Sequence, residues 1–176
     1  MNAATDDELV ASFCAGAEPA ADELVRRHAT ALGRFLYANG APAADLEDLV
    51  QEAFFKAFRA LNGWRREASF KSWLFKIAAN LNRDQFRRRK GRETVPLDDH
   101  DVADGSDPEG ESGAKDLERR LLIELERLPR LQREVFLLRA QQGMEYDLIS
   151  ATLGTTPGAA RVHYHHAVKR LKETIQ

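Results

Sequence analysis

Apolar positions recur along this chain at three- and four-residue steps almost from end to end, the spacing of one face of a helix. Thr5 followed by Glu8 fits a capping box that opens a short first helix. A second helix places Leu24, Val25, His28, Leu32, Phe35 and Leu36 on one face, and Gly40 ends it. His28 sits on that apolar stripe and reads as a histidine at the core edge. The third helix turns Leu46, Leu49, Val50, Ala53, Phe54, Ala57, Phe58 and Leu61 inward, with Gly63 as its stop. Ser69 then caps a fourth helix whose buried face is Phe70, Trp73, Leu74, Ile77, Ala78 and Leu81. No segment alternates convincingly in the manner of a strand.

Helices resume near Asp116. One carries Leu117, Leu121, Ile123, Leu125 and Leu128 and ends before Pro129. The next runs from 131 to about 141, with Gly143 after it. A helix over 145–153, the turn Gly154-Thr155-Thr156 and a last helix from Pro157 follow, with proline favoured at the first helical position after a threonine cap. Two short helices joined by a glycine-containing turn make a helix-turn-helix. The expected fold is all-α: two small helical domains, 1–92 and 116–176, joined by a flexible acidic linker over 93–115, the second domain being the helix-turn-helix.

Charge sharpens this division. From 93 to 116 there are nine acids and one base, a net −8, whereas the whole chain carries −2. The remainder therefore holds 25 bases against 19 acids, or +6. The acidic stretch is rich in Asp, Gly, Ser and Pro and cannot bury enough apolar surface to offset its ordering entropy. A near-neutral total is thus compatible with two basic, nucleic-acid-facing domains joined by an acidic tether.

Several classes are disfavoured. No apolar run approaches the roughly 18 residues of a membrane span. The N-terminus lacks a basic segment followed by an apolar core, so a cytoplasmic location is the default. Cys14 is the sole cysteine, which excludes an internal disulfide. Of the clustered His163, His165 and His166, only the first and last share a helical face. No acid or cysteine nearby completes a ligand set. Solvated or DNA-facing histidines are the better reading, and neither metal nor cofactor is expected.

Three surfaces carry candidate function. The third helix has Glu47, Asp48, Gln51 and Glu52 on its solvent side, with Phe55 among them. An exposed aromatic ringed by acids is costly unless a partner covers it, so this is either a docking face or a solvated face with one stray phenylalanine. On the fourth helix Lys76, Asn80, Arg83, Arg87 and Lys90 form one polar, mostly basic face, thickened by Arg88, Arg89 and Arg92. Asn80 is an amide able to read a base edge, and the cations neutralise phosphates. The preceding loop, 62–69, mixes Trp64 with Arg65 and Arg66, a combination suited to stacking and clamping unpaired bases. Trp64 reads equally well as a lid over the helix junction. The final helix turns Ala160, Tyr164, Ala167 and Leu171 inward and Gly158, Arg161, Val162, His165, Lys169 and Lys172 outward. Its N-terminal part would enter the major groove, where Arg161 and His165 could meet a base or phosphate and Val162 a thymine methyl.

Two runs, Asp45 to Phe54 and Leu128 to Arg139, lie in this order with Trp64, Ser69-Phe70-Lys71-Ser72-Trp73-Leu74, Ala78-Ala79-Asn80 and Arg87-Arg88-Arg89 between them. Together they resemble the two conserved regions of a bacterial RNA polymerase sigma factor of the extracytoplasmic-function type. The resemblance covers about 5–91 and 116–174. It implies that Asp48, Gln51, Glu52 and Phe55 contact the clamp helices of the polymerase largest subunit, while Leu49, Val50 and Phe54 hold the core. It implies further that Trp64, Arg65, Arg66, Ser69, Lys76, Asn80, Arg83 and Arg87 recognise and open the −10 promoter element. Thr156, Gly158, Arg161, Val162, His165 and Lys169 would read the −35 element. A contact with the flap of the second-largest subunit, a linker threaded through a basic channel, and an anti-sigma partner wedged between the domains are also implied. The family often has an acid where Leu148 stands and polar or basic residues where Val162 and His163 stand, so the −35 sequence does not follow. Two alternatives stay open. A helix-turn-helix regulator that is not a polymerase subunit would leave the acidic face with Phe55 and the basic stripe unexplained. A small nuclease would need a preorganised metal site, and the acids lie only on the third helix or in the linker.

Overall fold

The computed structural model describes residues 3–66, 68–92 and 113–175, so most of the acidic tether and the expectation that it is flexible lie outside the described residues. Eight α-helices follow one another, with no strand among the described residues. They are α1 (Asp6–Cys14), α2 (Glu18–Ala38), α3 (Leu46–Ala60), α4 (Phe70–Arg92), α5 (Gly113–Arg127), α6 (Arg130–Phe136), α7 (Tyr146–Leu153) and α8 (Pro157–Ile175).

The predicted starts are where the sequence places them. Thr5 Oγ1 accepts from the Glu8 amide at 3.1 Å, and the Glu8 carboxylate accepts from the Thr5 amide at 2.9 Å, a complete capping box. Ser69 Oγ accepts from the Ser72 amide at 3.1 Å, and Thr156 Oγ1 from the Ala159 amide at 3.1 Å. Stops differ in kind. Gly40, Gly143 and Gly154 take positive φ, as a chain leaving a helix requires. Gly63 does not, and instead closes a 3-10 turn over Leu61–Gly63. The helix begun at α6 ends in a π-helical turn, Leu137–Gln141.

In the N-terminal half, α2, α3 and α4 pack around Leu24, Leu32, Phe35, Leu36, Ala53, Phe70 and Leu74, all essentially without solvent exposure. The α1 helix adds Val10 to that core and is tied down by polar contacts as well. Asp6 Oδ2 lies 2.7 Å from His28 Nε2, and Asp6 Oδ1 lies 3.2 Å from Arg27 Nη1. Glu23 holds Arg26 at 2.6 Å and Arg27 at 3.0 Å, and these two guanidinium groups pull its carboxyl from 4.5 down to about 2. His28 is thus the core-edge histidine the stripe predicts, with Asp6 as its partner.

In the C-terminal half, α5, α6, α7 and α8 enclose Leu125, Val135, Leu138, Ile149, Ala160 and Ala167. Two expectations fail here: Leu117 is 52% exposed, and so in large part is Ile123. Ile123 is 45% exposed, and Leu122 takes its place against the core. The inward set is Leu121, Leu122, Leu125 and Leu128, at steps of one, three and three, while Ile123 falls two residues from Leu121 and so on the opposite side.

The two halves dock. α7 lies along α4, and α5 and the π-helical turn approach α2. Between α2 and α3 of its own half and α7 of the other, α4 is buried on two sides. Besides the predicted face, Ser72, Phe75 and Ala79 are at most 4% exposed. They continue to Arg83 at steps of three, four and four, a second helical face. Phe75 meets Phe35 of α2 edge-on at 5.1 Å, and Lys71 sits 5.9 Å over its ring. Partial burial there pushes the Lys71 ammonium below its ordinary range.

Candidate nucleic-acid interface

The acidic face of α3 is solvent-facing. Asp48 and Gln51 are exposed, Glu52 is half-buried, and Phe55 is 60% exposed on a helix otherwise well packed. Two cations modify the expected ring of acids. Lys56 Nζ approaches Glu52 at 3.9 Å, and the Arg59 guanidinium lies 5.4 Å over the Phe55 ring. Phe55 therefore has a partial cover from its own helix, a cation–π contact of modest strength at an exposed site. The face remains an anionic strip around one large apolar side chain.

The aromatic loop is built on α4. Trp64 stacks on Trp73 with ring centres 5.3 Å apart and planes 19° apart, and meets Phe70 edge-on. Trp64 lids the junction and stays partly exposed. Arg66 has φ of 56°, left-handed for a non-glycine residue, and its guanidinium lies 5.9 Å from the Trp64 ring centre. Arg65 and Ser69 are exposed beside it. Ser69's hydroxyl is already an acceptor for the helix cap, so its side chain first positions α4.

Along α4 the stripe is not uniform. Lys76, Asn80 and Arg87 are exposed, with Asp84 4.0 Å from Arg87. Arg83 is different. Its Nη2 donates to Glu134 Oε2 at 2.6 Å and its Nε to Glu134 Oε1 at 3.4 Å, a two-pronged pair with α6 of the other half. Glu134 is 3% exposed, and Arg130 also reaches it at 3.7 Å. A second bond crosses nearby: Arg133 Nε donates to Asn39 Oδ1 at 3.3 Å, and burial lowers the Arg133 pKa. Asn39 is further fixed by donating to the Phe35 carbonyl and accepting from Asn82 through its own carbonyl. The expectation of a continuous free basic face is therefore corrected at Arg83, which is committed to Glu134.

A cleft of about 540 Å³ remains where the halves meet. Trp64, Arg65, Trp73 and Lys76 line it from one side, and Ala151 and Thr152 of α7 from the other. The Trp64 end of α4 thus faces α7 across this cleft, while Asn80 and Arg87 stay exposed.

The helix-turn-helix presents its second helix outward. Gly158, Arg161, Val162, His165 and Lys169 are exposed, Val162 by 51%. Ala160, Ala167 and Leu171 are buried, and Tyr164 stacks on Phe136 at 6.0 Å. The hydroxyl of Thr156 is occupied as the α8 cap. Arg161 is held by a residue the sequence did not single out. Tyr146, at the start of α7, lies between Arg139 at 4.7 Å and Arg161 at 5.1 Å. Glu134 also went unnoticed, although its position is suggestive: three residues after Leu131 and four before Leu138, it is an acid on an apolar face. Among the described residues no group of three or more His, Cys, Asp or Glu could hold a metal ion, and no helix is long and apolar enough to cross a membrane.

Comparison with known proteins places both halves. Residues 24–92 match the family Sigma-70 region 2, and residues 119–171 match Sigma-70, region 4. The RNA polymerase sigma factor NccH of Alcaligenes xylosoxydans xylosoxydans is 30% identical over 97% of this chain and 95% of its own length. The chain belongs to the extracytoplasmic-function branch of the sigma-70 family. The ECF RNA polymerase sigma factor SigE of Mycolicibacterium smegmatis is 36% identical over 90% of this chain, which spans 63% of that relative's length. Among solved structures, CnrH in complex with the cytosolic domain of CnrY matches with a TM-score of 0.74 and 29% identity, over 96% of this chain and 95% of that one. The sigma factor RpoE of Bartonella quintana, solved with the anti-sigma factor NepR, matches with a TM-score of 0.72 and 25% identity, over 88% of this chain and 95% of that one. As a sigma factor the chain is of a kind that serves transcription initiation, and its region 2 and region 4 are the two docked halves described above.

Proposed function

We propose that this sigma factor binds core RNA polymerase and directs it to a restricted promoter set. Residues 1–92 form the part that binds core polymerase and the −10 element, and 116–176 the part that binds the −35 element, with the acidic stretch as tether. Asp48, Gln51, Glu52 and Phe55 dock on the clamp helices of the largest subunit, and region 4 meets the flap of the second-largest. Trp64, Arg65, Arg66, Ser69, Lys76, Asn80, Arg83 and Arg87 capture the opened −10 strand. Thr156, Gly158, Arg161, Val162, His165 and Lys169 face the −35 duplex. The work is binding and strand capture in the cytoplasm, with no covalent chemistry by this chain. An anti-sigma protein wedged between the two halves is the natural regulator, and the related RpoE has been solved in complex with the anti-sigma factor NepR.

One observation carries the reading. A single chain holds an anionic face centred on exposed Phe55, a tryptophan-and-arginine loop beside a basic helix, and an outward recognition helix. Reconstitution with core polymerase and transcription from randomised promoters tests it. Enriched hexamers at both −10 and −35 are expected, and transcripts without promoter selection would refute it.

A further inference from the structure

We infer that His28 is a positioning residue for the −10 loop: Asp6 of α1 holds its ring, the ring backs Phe70, and Phe70 sets where Trp64 stands. This rests on the reading of Trp64 as part of the −10 surface.

The contacts run step by step from α1 to the loop. Asp6 Oδ2 lies 2.7 Å from His28 Nε2, and an ionised carboxylate only accepts, so the imidazole donates. That bond fixes the tilt of a ring that is only 8% exposed. The ring centre lies 5.8 Å from that of Phe70, with planes 52° apart. Phe70 is fully buried at the first position of α4 and meets Trp64 edge-on at 6.2 Å. It also meets Trp73 at 6.3 Å, and Trp73 carries the Trp64 stack. Rings at these separations have preferred offsets and tilts, so moving one displaces the next. Asp6 reaches α4 a second way. The Lys71 ammonium, next to Phe70 in the chain, is pushed down by burial and raised in part by the charge of Asp6.

Core packing alone does not call for a histidine here. Position 28 continues the stripe of Leu24, Leu32 and Phe35, where a leucine would fill space without burying a polar edge that needs a partner. A leucine could neither bond Asp6 nor present a flat face at a fixed angle. Trp64 needs that support because it stands in an irregular loop, beside Arg66 with its left-handed backbone. Its orientation comes from what lies beneath it. A base that stacks on a ring already set in place meets less ordering cost than one that must arrest a mobile ring.

The test uses the full chain. Trp64 and Trp73 are its two tryptophans, so their exciton couplet in circular dichroism reports the stack. Opening is read as the rate of open-complex formation by the reconstituted holoenzyme on a promoter enriched from the randomised library. His28→Ala removes both ring and bond, and Asp6→Ala removes the bond while leaving the ring. Asp6→Asn keeps an acceptor and is the conservative rescue. Asp7→Ala, at the exposed neighbour, takes the same charge from the first turn of α1. His28→Ala and Asp6→Ala should weaken the couplet and slow opening about tenfold, the size of a partly lost base stack. Core affinity should not change. Asp6→Asn and Asp7→Ala should match the parent in both readouts. In a chain that already carries Trp64→Ala, His28→Ala should slow opening no further. Additive losses would make His28 a general stability residue and overturn the inference, as would Asp7→Ala as slow as Asp6→Ala. A parent-like couplet and rate in His28→Ala would also overturn it, while a slow Trp64→Ala would leave the −10 reading standing. If Trp64→Ala itself opens promoters at the parent rate, the −10 reading fails and the inference with it, although the couplet still reports the ring contacts.

Discussion

Arg83 and Glu134, 51 residues apart in sequence, meet at 2.6 Å across the junction of region 2 and region 4. The pair makes a helix of the C-terminal half a ligand of the basic helix in the N-terminal half. Removing one partner of a buried pair ordinarily costs about 3–5 kcal/mol, because a charge is left buried and alone. Here undocking returns Glu134 to water. Arg83→Leu is therefore expected to cost less than that range and to split a single calorimetric transition into two. One transition with a full-range loss would mean that the halves cannot part.

The α3 face gives a second prediction. Asp48→Lys with Glu52→Lys reverses the anionic strip around Phe55 while leaving the buried Leu49, Ala53 and Phe54 in place. Helicity should not change. Affinity for core polymerase should fall by at least tenfold, about 1.4 kcal/mol. Core affinity equal to that of the unaltered chain in a titration would remove α3 from the interface.

The DNA-reading surfaces should be separable. Asn80→Ala should relax preference at the −10 element alone, and Arg161→Ala at the −35 element, each by about 1–3 kcal/mol if a base edge is contacted. Tyr146→Leu should follow Arg161→Ala, because the Tyr146 ring is the platform under that guanidinium. Promoter-library profiles for the three variants decide it. A −35 shift from Asn80→Ala with an intact −10 profile would reverse the assignment.

Acid should loosen the ion-pair cluster of Glu23, Arg26 and Arg27 on α2. Glu23 has its pKa lowered in the fold from 4.5 to about 2 by Arg26 and Arg27. A carboxyl depressed by folding contributes stability above its unfolded value, lost as pH falls. The window is therefore between 4.5 and about 2. Unfolding midpoints across it should drop less steeply for Glu23→Gln than for the unaltered chain. Parallel curves would show that the Glu23 pairs give the fold no net support.

Much of this was legible in the sequence because it is local. A cap needs a hydroxyl and an amide three residues on, and Thr5, Ser69 and Thr156 supply it at α1, α4 and α8. Helical periodicity reports one buried face, so the cores of both halves, the outward face of α8 and the exposure of Phe55 follow from spacing. The Ile123 reading failed where the same spacing rule, applied strictly, favours Leu122.

What only the tertiary structure decided is contact between segments distant in sequence. Burial on a second face of α4 cannot be read from a pattern that assumes one, so Ser72, Phe75 and Ala79 gave no signal of it. A charged side chain looks the same in sequence whether it meets water, a phosphate or a carboxylate. Docking turned Arg83 from a free cation of the stripe into the partner of Glu134, and packing within the C-terminal half laid Tyr146 beneath Arg161. The sequence determined which faces exist; the packing of one half on the other decided which of them are open.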